Sequence, residues 1–441
     1  MKRVLVLGAG LVSRPGVVYL LNTPGIQVTV ASRTVAKAEQ LIAGHPNGRA
    51  LPIDVEDAAA LAKLVQEHDI AISLLPWIHH MKVADLCLKY GKHMVTASYV
   101  SDAMRALDPA VKAKGLIFLN EVGVDPGIDH MSAMKVIDEV HARGGKIVEF
   151  FSYCGGLPAP EANDNPFGYK FSWSPRGVVL ASRNSCRFLE KGKIIEIPGQ
   201  DLFLHYDVEE IEGLGRFEVY HNRDSVRYQQ EYGIPEAITV QRGTYRNIGW
   251  CDTLKKIVDL GLIDESPRPQ LTSGTFRQMM AGLLGVAENA DVRAAAAAKL
   301  NIPRDHFTLA NMEWLGLFSD EKVSKQNNTL DVLSDRMQVK LAFREGERDL
   351  LLMRHRFHVE EADGRKTKIV STLIDYGIPH GDSSMARTVS LPLAIGTRML
   401  AEGRITRTGV LQPMTSDVYL PILAELEKEN IRMEERQFPS A

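Results

Sequence analysis

The sequence predicts an α/β protein: a parallel sheet covered on both faces, then a mixed α+β domain, then a C-terminal segment that returns to the first domain. Three observations carry this. Apolar runs alternate with helix-period segments at short spacing between residues 1 and 126. After Gly145 the texture changes to stretches in which apolar and polar residues alternate. Near the end comes one long helix-period segment, MARTVSLPLAIGTRMLAEG.

Taken in order, RVLVLGAG is a first strand running into glycines, and a helix follows from about Ser13 to Leu21. QVTVASRT is a second strand and AKAEQLIAG a short helix. ALPIDVED is a third strand and turn, followed by the helix AAALAKLVQEH. DIAISLLP, HHMKVADLCLKYG, KHMVTAS, SDAMRALDPAVKAKG and LIFLNEVG continue the alternation of strand and helix. Strands that are apolar throughout are buried on both faces, as in a parallel sheet between helices. Successive βα units place the strand C-terminal ends on one edge, where ligands bind.

The second domain is read from KIVEFFSYCGG, GYKFSWS, KGKIIEIPG, LFLHYDVEEIEG, GRFEVYHNRDS, AITVQRGTYR and the long stretch from VKLAFREGE to STLIDYG, which predict a mostly antiparallel sheet. LKKIVDLGL, TFRQMMAGLLG, ADVRAAAAAKL and HFTLANMEWLGL are helical, and the late helix is expected to break near Pro392. The expected domains are residues 1–126 for a dinucleotide, 127–383 for substrate and dimerisation, and 384–441 as a helical return segment.

With 45% apolar and 24% charged residues among 441, the composition is that of a globular protein with core enough for several domains. Lys plus Arg is 52 against 55 acidic residues, so the basic excess of a nucleic-acid binder is absent. Cys87, Cys154, Cys186 and Cys251 are widely separated, which fits reduced thiols in the cytoplasm rather than a disulfide frame or a zinc site; no metal is expected. MKRVLVLGAGLV has the look of a weak signal peptide, but Arg14 and Pro15 end its apolar run, so it is read as a buried strand. No window approaches the roughly 18 apolar residues of a membrane span.

Gly8 and Gly10 follow the first strand. The first permits a tight turn, and the second lets the chain approach a pyrophosphate at a helix N-terminus. Ser13 stands at the third glycine position, so this Rossmann-like motif is incomplete. Where an NAD site offers a carboxylate to the ribose, the second strand ends in Ser32, Arg33 and Thr34. Arg33 suits a 2′-phosphate, so NADP(H) is expected, with NAD(H) as the alternative. Asp54 and Val55 end the third strand, Leu75 and Pro76 the fourth, and Thr96 to Tyr99 the fifth. In NEVGVDPGIDHMS, Asp125 reads as the N-cap and Pro126 as the first residue of a helix, with Asp125 also placed to meet a ribose or a substrate amine. Arg223, Arg242 and Arg246 point to a small substrate with several carboxylates.

VTVASRT, ISLLPW, VTASYVS, NEVGVDPGIDH, SYCGGLPAPEANDNPFGYKFSWSPRGV, NRDS, YGIPEA and RGTYR together resemble the glutamate-forming saccharopine dehydrogenases, also called saccharopine reductases. The resemblance implies an NADP(H)- or NAD(H)-linked interconversion of saccharopine with glutamate and aminoadipate semialdehyde. It implies nucleotide contacts from Leu11, Val12, Ser32, Arg33, Thr34, Asp54, Val55, Leu75, Ala97, Ser98, Asp125 and Trp173. It implies saccharopine contacts from Ser98, Tyr99, Asp125, Arg223, Thr244, Tyr245 and Arg246, and a homodimer. Tyr245 departs from the smaller aliphatic residue of close members, and the stretch from Gly261 to Arg336 matches less well. Asp125 and Tyr99 are the candidates for acid–base work. A carboxynorspermidine dehydrogenase and a non-catalytic NADP(H)-binding sensor are the alternatives.

Overall fold

The computed structural model describes residues 1–439. It divides into two compact units. The first is Met1–Gly145 with Glu361–Asp363 and Ser371–Arg436; the second is Lys146–Glu360 with Gly364–Val370 and the chain from Gln437. The first unit thus runs past the expected boundary at Pro126, because the helix that follows packs with it, and the return begins at Ser371 rather than at Ser384.

In the first unit the chain runs β1 (Lys2–Leu7), α1 (Arg14–Leu21), β2 (Ile26–Ser32), α2 (Val35–Ile42), β3 (Gly48–Pro52), α3 (Ala58–Glu67), β4 (Ile70–Ser73), α4 (His80–Tyr90), β5 (His93–Val95), α5 (Asp102–Ala106), α6 (Asp108–Ala113), β6 (Ile117–Leu119) and α7 (Ile128–Ala142). The second unit contributes β7 (Lys146–Pro158), β8 (Cys186–Glu190), β9 (Lys193–Ile197), β10 (Tyr206–Ile211), β11 (Gly215–His221), β12 (Thr239–Asn247) and β13 (Asp349–Glu360). β14 (Lys366–Tyr376) crosses the division. A helix Ser384–Ala401, β15 (Gly409–Leu411), a helix Ser416–Lys428 and β16 (Glu434–Pro439) follow.

The first sheet has the order β15-β6-β5-β4-β1-β2-β3 with every pair parallel. Its interior strands are apolar for the reason the sequence suggested: Val4, Leu5, Val6 and Leu7 of β1 are all at most 1% exposed, with helices on both faces. Local caps set the helix starts. Asp57 accepts from the Ala59 and Ala60 N–H groups at α3, and Ser101 accepts from Met104 at α5. Strand order reverses between β1 and β4, so the crevice for a ligand lies beyond their C-terminal ends.

The helix Ser384–Ala401 packs on α1, where the Gly16 N–H donates to Ser390 Oγ at 2.9 Å. It runs unbroken through Pro392, contrary to the interruption expected there. Pro392 is buried, and tertiary packing along the helix outweighs the single backbone bond that proline forgoes.

The second sheet has the order β10-β11-β12-β7-β13-β14-β16, with β8 pairing β12 and β9. β10–β11, β11–β12, β12–β8, β8–β9 and β7–β13 pair antiparallel, and β12 runs parallel to β7. GYKFSWS, expected as a strand, is not one. Its aromatic alternation instead sends Tyr169 and Phe171 into the core of the unit while the backbone bends, held by Phe171 N–H on Leu341 O at 2.9 Å. The expected strand beginning at VKLAF opens on the end of a helix, Thr329–Lys340, which the sequence reading did not find. It also missed β8, while the helix Ser416–Lys428 lies within the helical return segment expected from residue 384. All four cysteines are buried, and none forms a disulfide among the described residues.

Candidate active site

All strands of the first sheet end on one edge, and the sequence-nominated residues of the first unit follow those ends: Gly8 to Val12 after β1, Ser32 to Thr34 at β2, Asp54 and Val55 after β3, Leu75 after β4, Ala97 to Tyr99 after β5, and Asp125 after β6. Gly8 is left-handed (φ +114°), and a Cβ there would lie 2.9 Å from Leu74 O, so only glycine lets β1 turn against β4. Ser13 closes the turn, since its hydroxyl accepts from the Gly10 N–H at 3.0 Å. A Cβ on Gly10 would meet nothing within 4 Å, and Leu11 at the tip is 66% exposed. The room is therefore outward, on the side a pyrophosphate would approach. At the end of β2, Arg33 is exposed and makes no ion pair among the described residues, while the Thr34 N–H donates to Ser32 Oγ at 3.3 Å. A free guanidinium flanked by hydroxyls, with no carboxylate at that strand end, fits a 2′-phosphate.

The segment Asn120–Ser132 is almost wholly buried, with Asp125 half-exposed in its midst. Asp125 is not the helix cap the sequence suggested. The Asp125–Pro126 bond is cis, and the N-cap position of α7 falls to Gly127 (φ +148°). Asp129 Oδ1 accepts the Gly127 N–H at 2.5 Å, doing from inside the helix what an N-cap side chain does from outside. A Cβ at Gly127 would lie 2.0 Å from Gly123 O. Relieved of capping, Asp125 Oδ1 accepts the Tyr99 hydroxyl at 2.7 Å.

Behind this pair lies a polar cluster the sequence did not reveal. Glu121, fully buried and left-handed (φ +56°), accepts from the Val100 N–H at 2.8 Å and meets His130 Nε2 at 2.7 Å. Burial would raise its carboxyl, but the hydrogen bond and charge of His130, the Val100 N–H and Gln412 outweigh it and hold it at about 2. His130, which plain helix packing would have explained, thus ties α7 to the loop carrying Tyr99.

In the second unit, β12 sorts its side chains by the strand period of two. Arg242, Thr244 and Arg246 face one side and Tyr245 the other. The Tyr245 side chain is fully buried, its hydroxyl donates to Glu209 at 2.8 Å, and its ring packs on Tyr153 and Phe217. The structure therefore separates the Tyr245 side chain from Thr244 and Arg246, with which it was grouped. Thr244 Oγ1 accepts from Asn222 at 2.9 Å.

Arg246 is 5% exposed, with its guanidinium 4.9 Å from the Tyr169 ring centre and 5.4 Å from that of Trp250. Its Nη1 donates to Tyr245 O at 2.8 Å, its Nε has no hydrogen-bond partner, and no carboxylate pairs with it among the described residues. The Trp250 indole N–H is likewise buried and unpartnered. The neighbouring Glu218 is occupied at the next helix start, accepting from Gly249 and Cys251 N–H at 2.7 and 2.8 Å. A buried cation held only by ring faces and one carbonyl suits an incoming carboxylate. Arg223 is left-handed (φ +55°) at the end of the β11 turn, a conformation uncommon outside glycine and found at functional sites. Trp173 is half-buried against the core of the second unit.

A family model described as the saccharopine dehydrogenase NADP binding domain matches residues 4–119, and one described as the saccharopine dehydrogenase C-terminal domain matches residues 123–431. The saccharopine dehydrogenase [NADP(+), L-glutamate-forming] of Schizosaccharomyces pombe is 42% identical, covering 99% of both chains. That of Saccharomyces cerevisiae is 40% identical with the same coverage. The solved structure of the apo histidine-tagged saccharopine dehydrogenase (L-Glu forming) from Saccharomyces cerevisiae superposes with a TM-score of 0.89 over 99% of this chain and 100% of that one.

Proposed function

The chain belongs to the saccharopine dehydrogenase family, and we propose how its own residues carry out that family's reaction. It is an NADP-dependent oxidoreductase acting on a CH–NH bond, interconverting saccharopine with L-glutamate and 2-aminoadipate 6-semialdehyde. In the oxidative direction saccharopine, NADP⁺ and water give glutamate, the semialdehyde, NADPH and a proton. The cofactor supplies the two-electron step, taking or returning a hydride at the substrate carbon.

The residues divide the remaining work. Arg33, with Ser32 and Thr34, holds the 2′-phosphate and sets the preference for NADP over NAD. The Gly8–Val12 turn receives the pyrophosphate. Asp125, accepting from Tyr99, presents a fixed carboxylate to the amine nitrogen, which must lose its proton before hydride can leave the adjacent carbon. Arg246 binds a substrate carboxylate, and Arg223 and Thr244 serve the same substrate. The observation that carries this reading is Arg246 itself, a buried guanidinium that no carboxylate pairs with among the described residues.

The test is an assay of the purified protein with saccharopine and each oxidised cofactor under alkaline conditions. A rise at 340 nm with NADP⁺, weaker with NAD⁺, is expected. Turnover of carboxynorspermidine with none of saccharopine would overturn the substrate assignment. Four buried cysteines, none in a disulfide among the described residues, support a cytoplasmic location, which cell fractionation tests. Exposed Ile194, Leu204 and Val208 on the second unit support a homodimer, which light scattering tests.

A further inference from the structure

Ser98 is held from behind by a histidine. His80, the first residue of α4, is 7% exposed. Its Nδ1 lies 2.8 Å from Ser73 Oγ and its Nε2 lies 2.7 Å from Ser98 Oγ. Ser73 is the last residue of β4 and is 1% exposed, and its hydroxyl has no other hydrogen-bond partner among the described residues. Ser98 follows β5, and its backbone is fixed as well. Its N–H donates to Thr96 Oγ1 at 3.3 Å, its carbonyl accepts from Glu121 at 3.2 Å, and Thr96 Oγ1 in turn donates to Ser73 O at 3.0 Å. The imidazole thus joins the ends of β4, which pairs with β1, and β5, the next strand outward, at the C-terminal edge of the sheet.

Burial, and then the neighbouring His79, lowers the imidazole to about 4, so near neutral pH the ring is uncharged and carries one N–H. A neutral imidazole between two hydroxyls has two arrangements. Either Nε2–H donates to Ser98, whose own O–H then points onward, or Ser98 donates to Nε2 and offers only lone pairs onward. In both, the Ser98 hydroxyl has lost its free rotation. Ser73 is a buried dead end, so the three groups do not form a route for protons to solvent. They form a brace.

We infer that His80 is a positioning residue for the reaction, locking the Ser98 hydroxyl in the orientation that the cofactor and substrate meet. This rests on the reading that Ser98 lines their site. Two histidines stand side by side here, and they have different tasks. His79 Nδ1 lies 3.3 Å from Glu56 Oε1, while His80 faces the strand ends.

The experiment compares His80→Ala, Ser98→Ala, the double variant and His80→Gln, reading kcat/KM for saccharopine and, separately, the NADPH dissociation constant by fluorescence. His80→Ala is expected to lower kcat/KM about tenfold, the scale of one hydrogen bond lost. The double variant should be no worse than Ser98→Ala alone, and His80→Gln, which keeps a polar atom near Nε2, should recover most of the loss. Ser73→Ala frees only the far side of the ring and should cost about two- to threefold, keeping a handle if His80→Ala folds poorly. Losses that multiply in the double variant, or full activity in both His80→Ala and Ser73→Ala, overturn the role. If NADPH binds but saccharopine is not turned over, the reaction assignment fails, and coupling between His80 and Ser98 in the dissociation constant still decides the inference.

Discussion

The Tyr99 hydroxyl donates to Asp125 Oδ1 at 2.7 Å, linking the loop after β5 to the loop after β6 at the C-terminal edge of the first sheet. Such a pair acts as a unit, so its two members should not contribute independently. Tyr99→Phe removes the donor and is expected to lower kcat/KM for saccharopine about tenfold. Asp125→Asn should cost more, on the order of a hundredfold, because the charge that receives or steadies the amine proton goes with it. In the double variant, Tyr99→Phe should add little to Asp125→Asn. Steady-state kinetics on the four proteins gives the coupling, and strictly multiplicative losses would separate the two residues.

Arg33, at the end of β2, makes no ion pair among the described residues, which leaves its charge available to a ligand. Arg33→Asp places like charge against a 2′-phosphate. NADPH affinity should fall on the order of a hundredfold while NADH affinity changes by less than about threefold, since NADH lacks that phosphate. Fluorescence titration with both nucleotides measures the ratio. Equal losses would remove Arg33 from the phosphate site.

Much of the first unit was legible in the sequence, because strands buried on both faces are continuous apolar runs and the βα order then fixes one ligand edge. What escaped reading depended on backbone turns that hydrophobic periodicity does not reveal. Asp125 looks like a cap until Asp129 is seen reaching back to the Gly127 N–H. His130 sits on a helix face that packing alone explains, yet Glu121, at a left-handed turn, meets its Nε2 in addition to Asp129 at its Nδ1. GYKFSWS has strand-like alternation, yet Tyr169 serves the Arg246 cage and the unit's core. The separation of Tyr245 from Arg246, by contrast, was available from strand period alone once β12 was assigned.

Arg246 offers a test in which stability and function move in opposite directions. A buried charge without an acid costs the folded protein solvation that ring faces only partly return. Arg246→Met keeps the volume and removes that cost. The thermal midpoint without substrate should rise by about 1–3 °C, while KM for saccharopine rises about 10- to 100-fold. NADPH affinity should be unchanged. A lower midpoint with an intact KM would make Arg246 a structural cation and end its assignment to the substrate.

Acid should weaken the first unit before its carboxylates matter. His80 titrates at about 4 when folded, against an ordinary 6.5, because burial disfavours its charged form. The unfolded chain therefore binds a proton below pH 6.5 that the folded chain refuses. The resulting stability is fully present above 6.5 and is lost as pH falls toward 4, at up to about 1.4 kcal/mol per pH unit. His68 and His93, also lowered chiefly by burial, add in the same direction, and His221 does so in the second unit. Glu121, held at about 2, contributes a loss only below its ordinary 4.5, so the two windows meet only near the lower end of the His80 range. Urea unfolding at pH 7, 6 and 5 should show midpoints falling with pH, and His80→Gln should flatten the part of that slope its own imidazole supplies. An unchanged slope would mean that the ring is charged in the fold, which its two hydroxyl partners and burial oppose.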